Sequence, residues 1–139
     1  MTDGFVADSS VGVAWAVLSQ SSQATEHLLN DVASGKPFVV PALWTFEVAN
    51  SLLVLMRRKR IEPEECARAR RALSRLVPVV DAEGPRVAFG KISELAEEHT
   101  LSVYDAAYLE LAVRRGLPLA SRDGALNKAA KRCGVKALL

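Results

Sequence analysis

Three short apolar runs, Phe5-Val6-Ala7, Phe38-Val39-Val40 and Leu117-Pro118-Leu119-Ala120, are each followed by a chain break or polar stop and then by a stretch of helical periodicity. A run that is apolar at successive positions reads as a strand buried on both faces, since a half-exposed strand alternates. Strands and helices taking turns along a chain point to a parallel sheet covered by helices. The reading is therefore a single α/β domain over residues 1–139, a three-layer α/β/α sandwich with a parallel sheet of about five strands. A chain of this length buries roughly two-thirds of its unfolded surface, enough for one core.

The remaining elements follow from breakers and periodicity. Helices are expected from Val11 to Leu18, from Gln23 to Ala33 ahead of Gly35, and from Ala42 to Lys59, the last apolar nearly all round and so central. Glu62-Pro63-Glu64-Glu65 opens a basic helix to Leu76, and Val77 to Val80 reads as a strand. Gly84-Pro85 precedes a long amphipathic helix to His99, and Ser102 opens another that ends at Arg115-Gly116. A helix from Gly124 to Cys133 and an edge strand from Val135 to Leu138 complete the chain.

Composition excludes several classes. Half the residues are hydrophobic and the net charge is only +2, which is incompatible with disorder. No apolar run reaches the ~18 residues needed to cross a bilayer. Met1-Thr2-Asp3-Gly4 lacks the basic and apolar regions of a signal peptide, and Cys66 and Cys133 are too isolated for a zinc site or a disulfide framework. The expectation is a reduced, cytoplasmic protein. Charge is uneven, with eight basic residues (Arg57, Arg58, Lys59 and Arg60 among them) against three acids between Arg57 and Arg75. Such a block suits a polyanion partner, and it equally suits a solvated helical hairpin.

Four acids stand where solvation does not explain them. Asp8 ends the first apolar strand and Asp123 follows the last, so both lie at carboxyl ends of parallel strands, where open α/β sheets place ligands. Glu47 sits in Leu43-Trp44-Thr45-Phe46-Glu47-Val48-Ala49-Asn50 with no Lys or Arg within four positions. Asp105 shares a helical stripe with Tyr108, Leu109 and Ala112, the side expected to pack on the sheet. Each acid also has an ordinary role: Asp8 and Asp123 as helix N-caps, Ser102 and Asp105 as a capping box, Glu47 at a helix edge. Were the four to converge, two carboxylates ~6 Å apart would repel by about 3 kcal/mol at an effective dielectric of 20. A divalent cation removes that cost, and ligation by carboxylate oxygens suits Mg²⁺ or Mn²⁺.

At these residues the sequence resembles the PIN-domain ribonucleases, and among them the VapC-like toxins of toxin–antitoxin pairs. The resemblance rests on Asp8-Ser9-Ser10 after a strand, on Glu47-Val48-Ala49-Asn50, and on Tyr104-Asp105-Ala106-Ala107-Tyr108-Leu109-Glu110-Leu111-Ala112. It continues in Pro118-Leu119-Ala120-Ser121-Arg122-Asp123, with gaps of 39, 58 and 18 residues between the acids. It implies an endoribonuclease that cuts single-stranded RNA with Mg²⁺ or Mn²⁺ and an activated water, leaving a 5′-phosphate and a 3′-hydroxyl. Asp8, Glu47, Asp105 and Asp123 would be its catalytic and metal-binding residues, and Ser10, Asn50 and Ser121 would line the pocket. No further acid follows Asp123, where Gly124, Ala125, Leu126 and Asn127 stand. The resemblance also implies a homodimer and a VapB-like antitoxin, with Arg57, Arg58, Lys59 and Arg60 contacting RNA or antitoxin and Trp15, Trp44, Val54, Leu55 and Met56 as apolar contact surface or as core.

Two other readings remain. A catalytically silent PIN-like module would bind RNA or protein without metal. A phosphotransfer domain also gathers acids at strand ends, but receivers want an acidic pair where Asp8 stands alone, and dehalogenase-like enzymes want Asp-x-Asp where position 10 is Ser.

Overall fold

The computed structural model describes residues 4–139. The expectation drawn from Met1-Thr2-Asp3 lies outside them. Strand β1 (Phe5–Ala7) pairs in parallel with β2 (Phe38–Pro41), Phe5 opposite Phe38 and Val6 opposite Val39. On its other side β1 pairs with β4 (Leu119–Ala120), and β2 pairs with β3 (Val79–Asp81), giving the order β3-β2-β1-β4, all parallel. Between the strands lie α1 (Ser9–Ala16), α2 (Gln23–Ala33), α3 (Leu43–Arg57), α4 (Pro63–Ser74), α5 (Gly84–Val87), α6 (Ser93–His99) and α7 (Val103–Arg115), and α8 (Gly124–Arg132) follows β4. The sheet is flanked by helices in the three-layer arrangement that the alternation predicts.

The strands form here because their side chains have nowhere better to go. Phe5, Val6 and Ala7 are wholly buried, as are Leu119 and Ala120, so every position contributes to the core. An aromatic cluster fastens helices to strands: the Trp15 ring meets Phe38 edge-on at 5.2 Å, and Phe38 meets Trp44 at 5.6 Å. Each such pair contributes about 0.5–1.5 kcal/mol beyond area burial. Gly12 lets α1 lie directly on α3, because a Cβ there would come within 2.8 Å of both the Trp44 ring and Val48.

Several expectations need correction. The sheet has four strands among the described residues, and the expected strand from Val135 to Leu138 reduces to one parallel bridge between Leu119 and Ala137. The Val77–Val80 strand is shifted to Val79–Asp81, and Val79 and Val80 are exposed, because β3 is the sheet's outer edge. The long helix from Gly84 to His99 is broken into α5, a π-turn over Ala88–Ile92 and α6, with Gly90 at φ −111° and ψ −105°. A glycine inside an amphipathic pattern is the local reason: it has no side chain to hold the helical geometry. Trp44 is core, and Trp15, Leu55 and Met56 pack against the core. The strongly exposed apolar side chains are instead Leu18, Phe46, Val77, Phe89 and Tyr104. Among the described residues no helix is long and apolar enough to cross a membrane.

Candidate active site

Asp8 leaves β1 with extended φ and ψ and caps α1, one carboxylate oxygen accepting from the Val11 N–H at 3.2 Å. The same oxygen accepts from the Ser10 hydroxyl at 2.6 Å, and the other from the Ser121 hydroxyl at 2.5 Å. Its backbone carbonyl accepts from the Trp44 indole N–H at 3.1 Å. The two serines also stitch the ends of β1 and β4 together. Ser10 accepts from the Arg122 N–H at 2.9 Å, and Ser121 accepts from the Asp123 N–H at 2.9 Å. Asp123, exposed, caps α8 by accepting from the Ala125 and Leu126 N–H groups at 2.8 and 3.2 Å. Asn127 donates to the Ser121 carbonyl at 2.9 Å, while its own Oδ1 is buried without a partner among the described residues.

Glu47 lies one turn into α3 and is half-buried. The hydroxyl of Tyr108, on α7, donates to its Oε1 at 2.6 Å. Asp105 stands one turn before Tyr108, and its N–H is accepted by Ser102, the N-cap of α7, at 3.0 Å. Asp8 and Asp123 are thus helix N-caps, as one reading of each expected, and capping does not by itself exclude a site role.

Electrostatics tie the acids together. Burial raises the Asp8 carboxyl above its ordinary value, against hydroxyl donation from Ser10 and Ser121, and the charge of Asp105 adds to the rise. Burial likewise raises Glu47, opposed by the Tyr108 hydroxyl and reinforced by Asp105 and Asp8. Asp105 is raised by burial and then by Asp123. Asp105 is therefore the charge that the other three share. Yet no three His, Cys, Asp or Glu side chains among the described residues form a ready-made metal cage. The donor set is hard and anionic, and an ion held by few protein oxygens with several retained waters is the kind it would fit, which describes Mg²⁺ or Mn²⁺.

The supporting residues divide. Ser10 and Ser121 touch Asp8, whereas Asn50 is exposed and makes no side-chain hydrogen bond among the described residues. Arg57, Arg58, Lys59 and Arg60 are exposed at the far end of α3, ten or more residues from Glu47, which is about 15 Å along a helix axis. A groove of about 630 Å³ lies elsewhere, lined by Ala16 and Leu18, by Glu65, Arg68 and Arg71 of α4 and by its C-cap Arg75. None of the four acids lines it.

The sequence reading missed Tyr108 as the partner of Glu47. Its signal was present: Tyr108 shares Asp105's helical stripe. It also treated every other acid as solvated, which is wrong for Asp81 and Glu110. Both are buried. Arg114 grips Asp81 through two nitrogens at 2.9 and 2.8 Å and Glu110 at 2.8 and 3.0 Å, and Arg115 reaches Asp81 at 3.0 Å. Hydrogen bonding from Arg114 holds the Asp81 carboxyl down at about 2. This network pins the end of β3 to α7.

The comparisons with known proteins fit this geometry. Residues 5–132 match the PIN domain family. No curated protein matches the chain significantly. Among solved structures, PAE2754 from Pyrobaculum aerophilum is similar with a TM-score of 0.70 at 21% identity, over 97% of this chain and 83% of that one. FitAcB from Neisseria gonorrhoeae gives 0.64 at 14%, over 96% and 95%, and VapBC2 from Rickettsia felis, bound to a DNA fragment from its promoter, gives 0.63 at 13%, over 96% of both. These likenesses are of fold. The family match spans nearly all of the described chain, from the first strand through the last helix, and the chain belongs to the PIN-domain family.

Proposed function

We propose that this PIN domain is a Mg²⁺- or Mn²⁺-dependent endoribonuclease that cuts single-stranded RNA in the cytoplasm as the toxin of a VapBC-type pair. PIN domains are generally nucleases. The observation that carries the reading is the gathering of half-buried and buried acids at the carboxyl end of the sheet: burial raises Asp8, Glu47 and Asp105, the charge of Asp105 adds to the rise at Asp8 and Glu47, and a cation or protonation relieves that cost. When bound, the cation supplies charge neutralisation for the phosphodiester and makes water more acidic. The chain's own residues do the rest. Asp8, fixed by three donors, and Glu47, fixed by Tyr108, give the site its shape, and Asp8 or Asp105 accepts the proton of the water that attacks phosphorus in line. Asp123 extends the negative rim from the start of α8.

The toxin assignment draws on FitAcB and VapBC2 as fold neighbours. It brings with it a homodimer and a VapB-like antitoxin. Metal-stripped protein incubated with end-labelled single-stranded RNA should cut only after Mg²⁺ or Mn²⁺ is added, and Asp105→Asn should cut at least a hundredfold more slowly. Wild-type rates in that variant, or in EDTA, would overturn the proposal. The lack of a ready-made cage among the described residues favours one rival, a silent RNA- or protein-binding module. That module would show no Mn²⁺-dependent rise in melting temperature.

A further inference from the structure

Glu47 differs from the other three acids in how it is held. Asp8 and Asp123 are fixed by the backbone N–H groups they cap, and Asp105 lies in the first turn of α7, beside the hydroxyl of its N-cap Ser102. Glu47 caps nothing and has a longer, freer side chain on a helix whose neighbouring turn is apolar. Its one side-chain hydrogen bond among the described residues is the 2.6 Å bond from Tyr108. That tyrosine is 1% exposed, so its hydroxyl has no bulk water to turn to and donates to Glu47. Tyr108 and Asp105 sit one turn apart on α7 and so move as a unit, while Glu47 arrives from α3. The hydrogen bond is therefore the strut that sets the position of the α3 carboxylate against the α7 carboxylate.

Resting on the cation-dependent reading above, we infer that Tyr108 is a positioning residue, whose buried hydroxyl holds the Glu47 carboxylate in place at the carboxyl end of the sheet, where a cation would bind. Phenylalanine at position 108 would fill the same space and leave Glu47 free to rotate out toward solvent.

The test is Mn²⁺ affinity, read from the free-ion EPR signal, in wild type, Tyr108→Phe, Glu47→Asp and the double variant. Glu47→Asp keeps the charge but draws the carboxylate out of Tyr108's reach. Tyr108→Phe should weaken Mn²⁺ binding about tenfold, the loss expected for a hydrogen bond to a charged group. In the Glu47→Asp background the same change should cost less than twofold, because the strut is already gone. In RNA cleavage, Tyr108→Phe should raise the Mn²⁺ concentration for half-maximal rate while leaving the rate at saturating Mn²⁺ within twofold, a split that mere loosening of the core does not produce. Unchanged affinity in Tyr108→Phe, or an equal loss in both backgrounds, would overturn the role of Tyr108. Absence of Mn²⁺ binding by the wild type would instead overturn the cation reading beneath it. Should Tyr108→Phe fold poorly, Glu47→Asp alone must still bind Mn²⁺ about tenfold more weakly.

Discussion

The carboxylate of Asp105 feels its neighbours without being tied down by the backbone, and this makes it the side chain whose charge matters most to the others. Removing that charge should be felt twice. Asp105→Asn should abolish cleavage, and without added cation it should raise the melting temperature by a few degrees, since ~1 kcal/mol moves a domain of this size by about 2–4 °C. Circular-dichroism melts in EDTA check the second outcome. Asp81 behaves in the opposite sense. Its carboxyl is held at about 2, below its ordinary 3.8, so its stabilisation is fully present above that ordinary value and fades as pH falls toward 2. Asp8, Glu47 and Asp105 are raised, so they oppose folding at neutral pH and cease to do so as they protonate on acidification. The cation-free protein should accordingly melt highest at mildly acidic pH, and the rise caused by Mn²⁺ should shrink from pH 7 downward. The network around Asp81 was hidden from sequence reading because its partner, Arg114, lies 33 residues away. Asp81 follows an apolar run just as Asp8 does, so the visible clue alone could not tell a structural ion pair from a site.

At the scale of elements, burial decided what was legible. Strands β1 and β2 are buried on both faces, and their runs read correctly to within a residue, as did α2 between its Ser22 cap and Gly35. Edge strand β3 defeated the same logic, since Val77, Val79 and Val80 are apolar yet exposed. The kink at Gly90 was likewise outside the reach of periodicity, which continues across it. The seam between α1 and α3 depends on Gly12, whose missing side chain lets the Trp44 indole reach the Asp8 carbonyl. Gly12→Ala should cost about 1–3 kcal/mol through overpacking, measurable by urea denaturation. Because the same seam places Asp8 beside Glu47, cleavage should fall with it. Arg114→Ala leaves the buried Glu110 without its cation and Asp81 with Arg115 alone, and should cost about 3 kcal/mol.

Across the whole molecule, Glu47 lies near the start of α3 while Arg57–Arg60 stand exposed at its other end. On the proposed function, an RNA that spans both would be drawn by one and cut at the other. Replacing Arg57, Arg58, Lys59 and Arg60 with serine should weaken RNA binding and flatten its salt dependence, by about 0.7 in the logarithmic slope for every phosphate no longer neutralised, with the maximal rate kept. An unchanged slope would assign the block to a protein partner instead. Chain order and spacing carried the quartet into view, but the positions of these positive charges relative to it came only with the fold.

The double duty of Asp8 and Asp123 has a consequence for how such a protein ages. Asparagine caps a helix about as well as aspartate. If the proposed function holds, a change of one carboxyl oxygen for an amide, reachable by a single base substitution, would silence the chemistry while the architecture scarcely registers it. Nothing in the scaffold's own stability guards these negative charges, so a gene released from the need to cut would drift readily into an intact but inert shape.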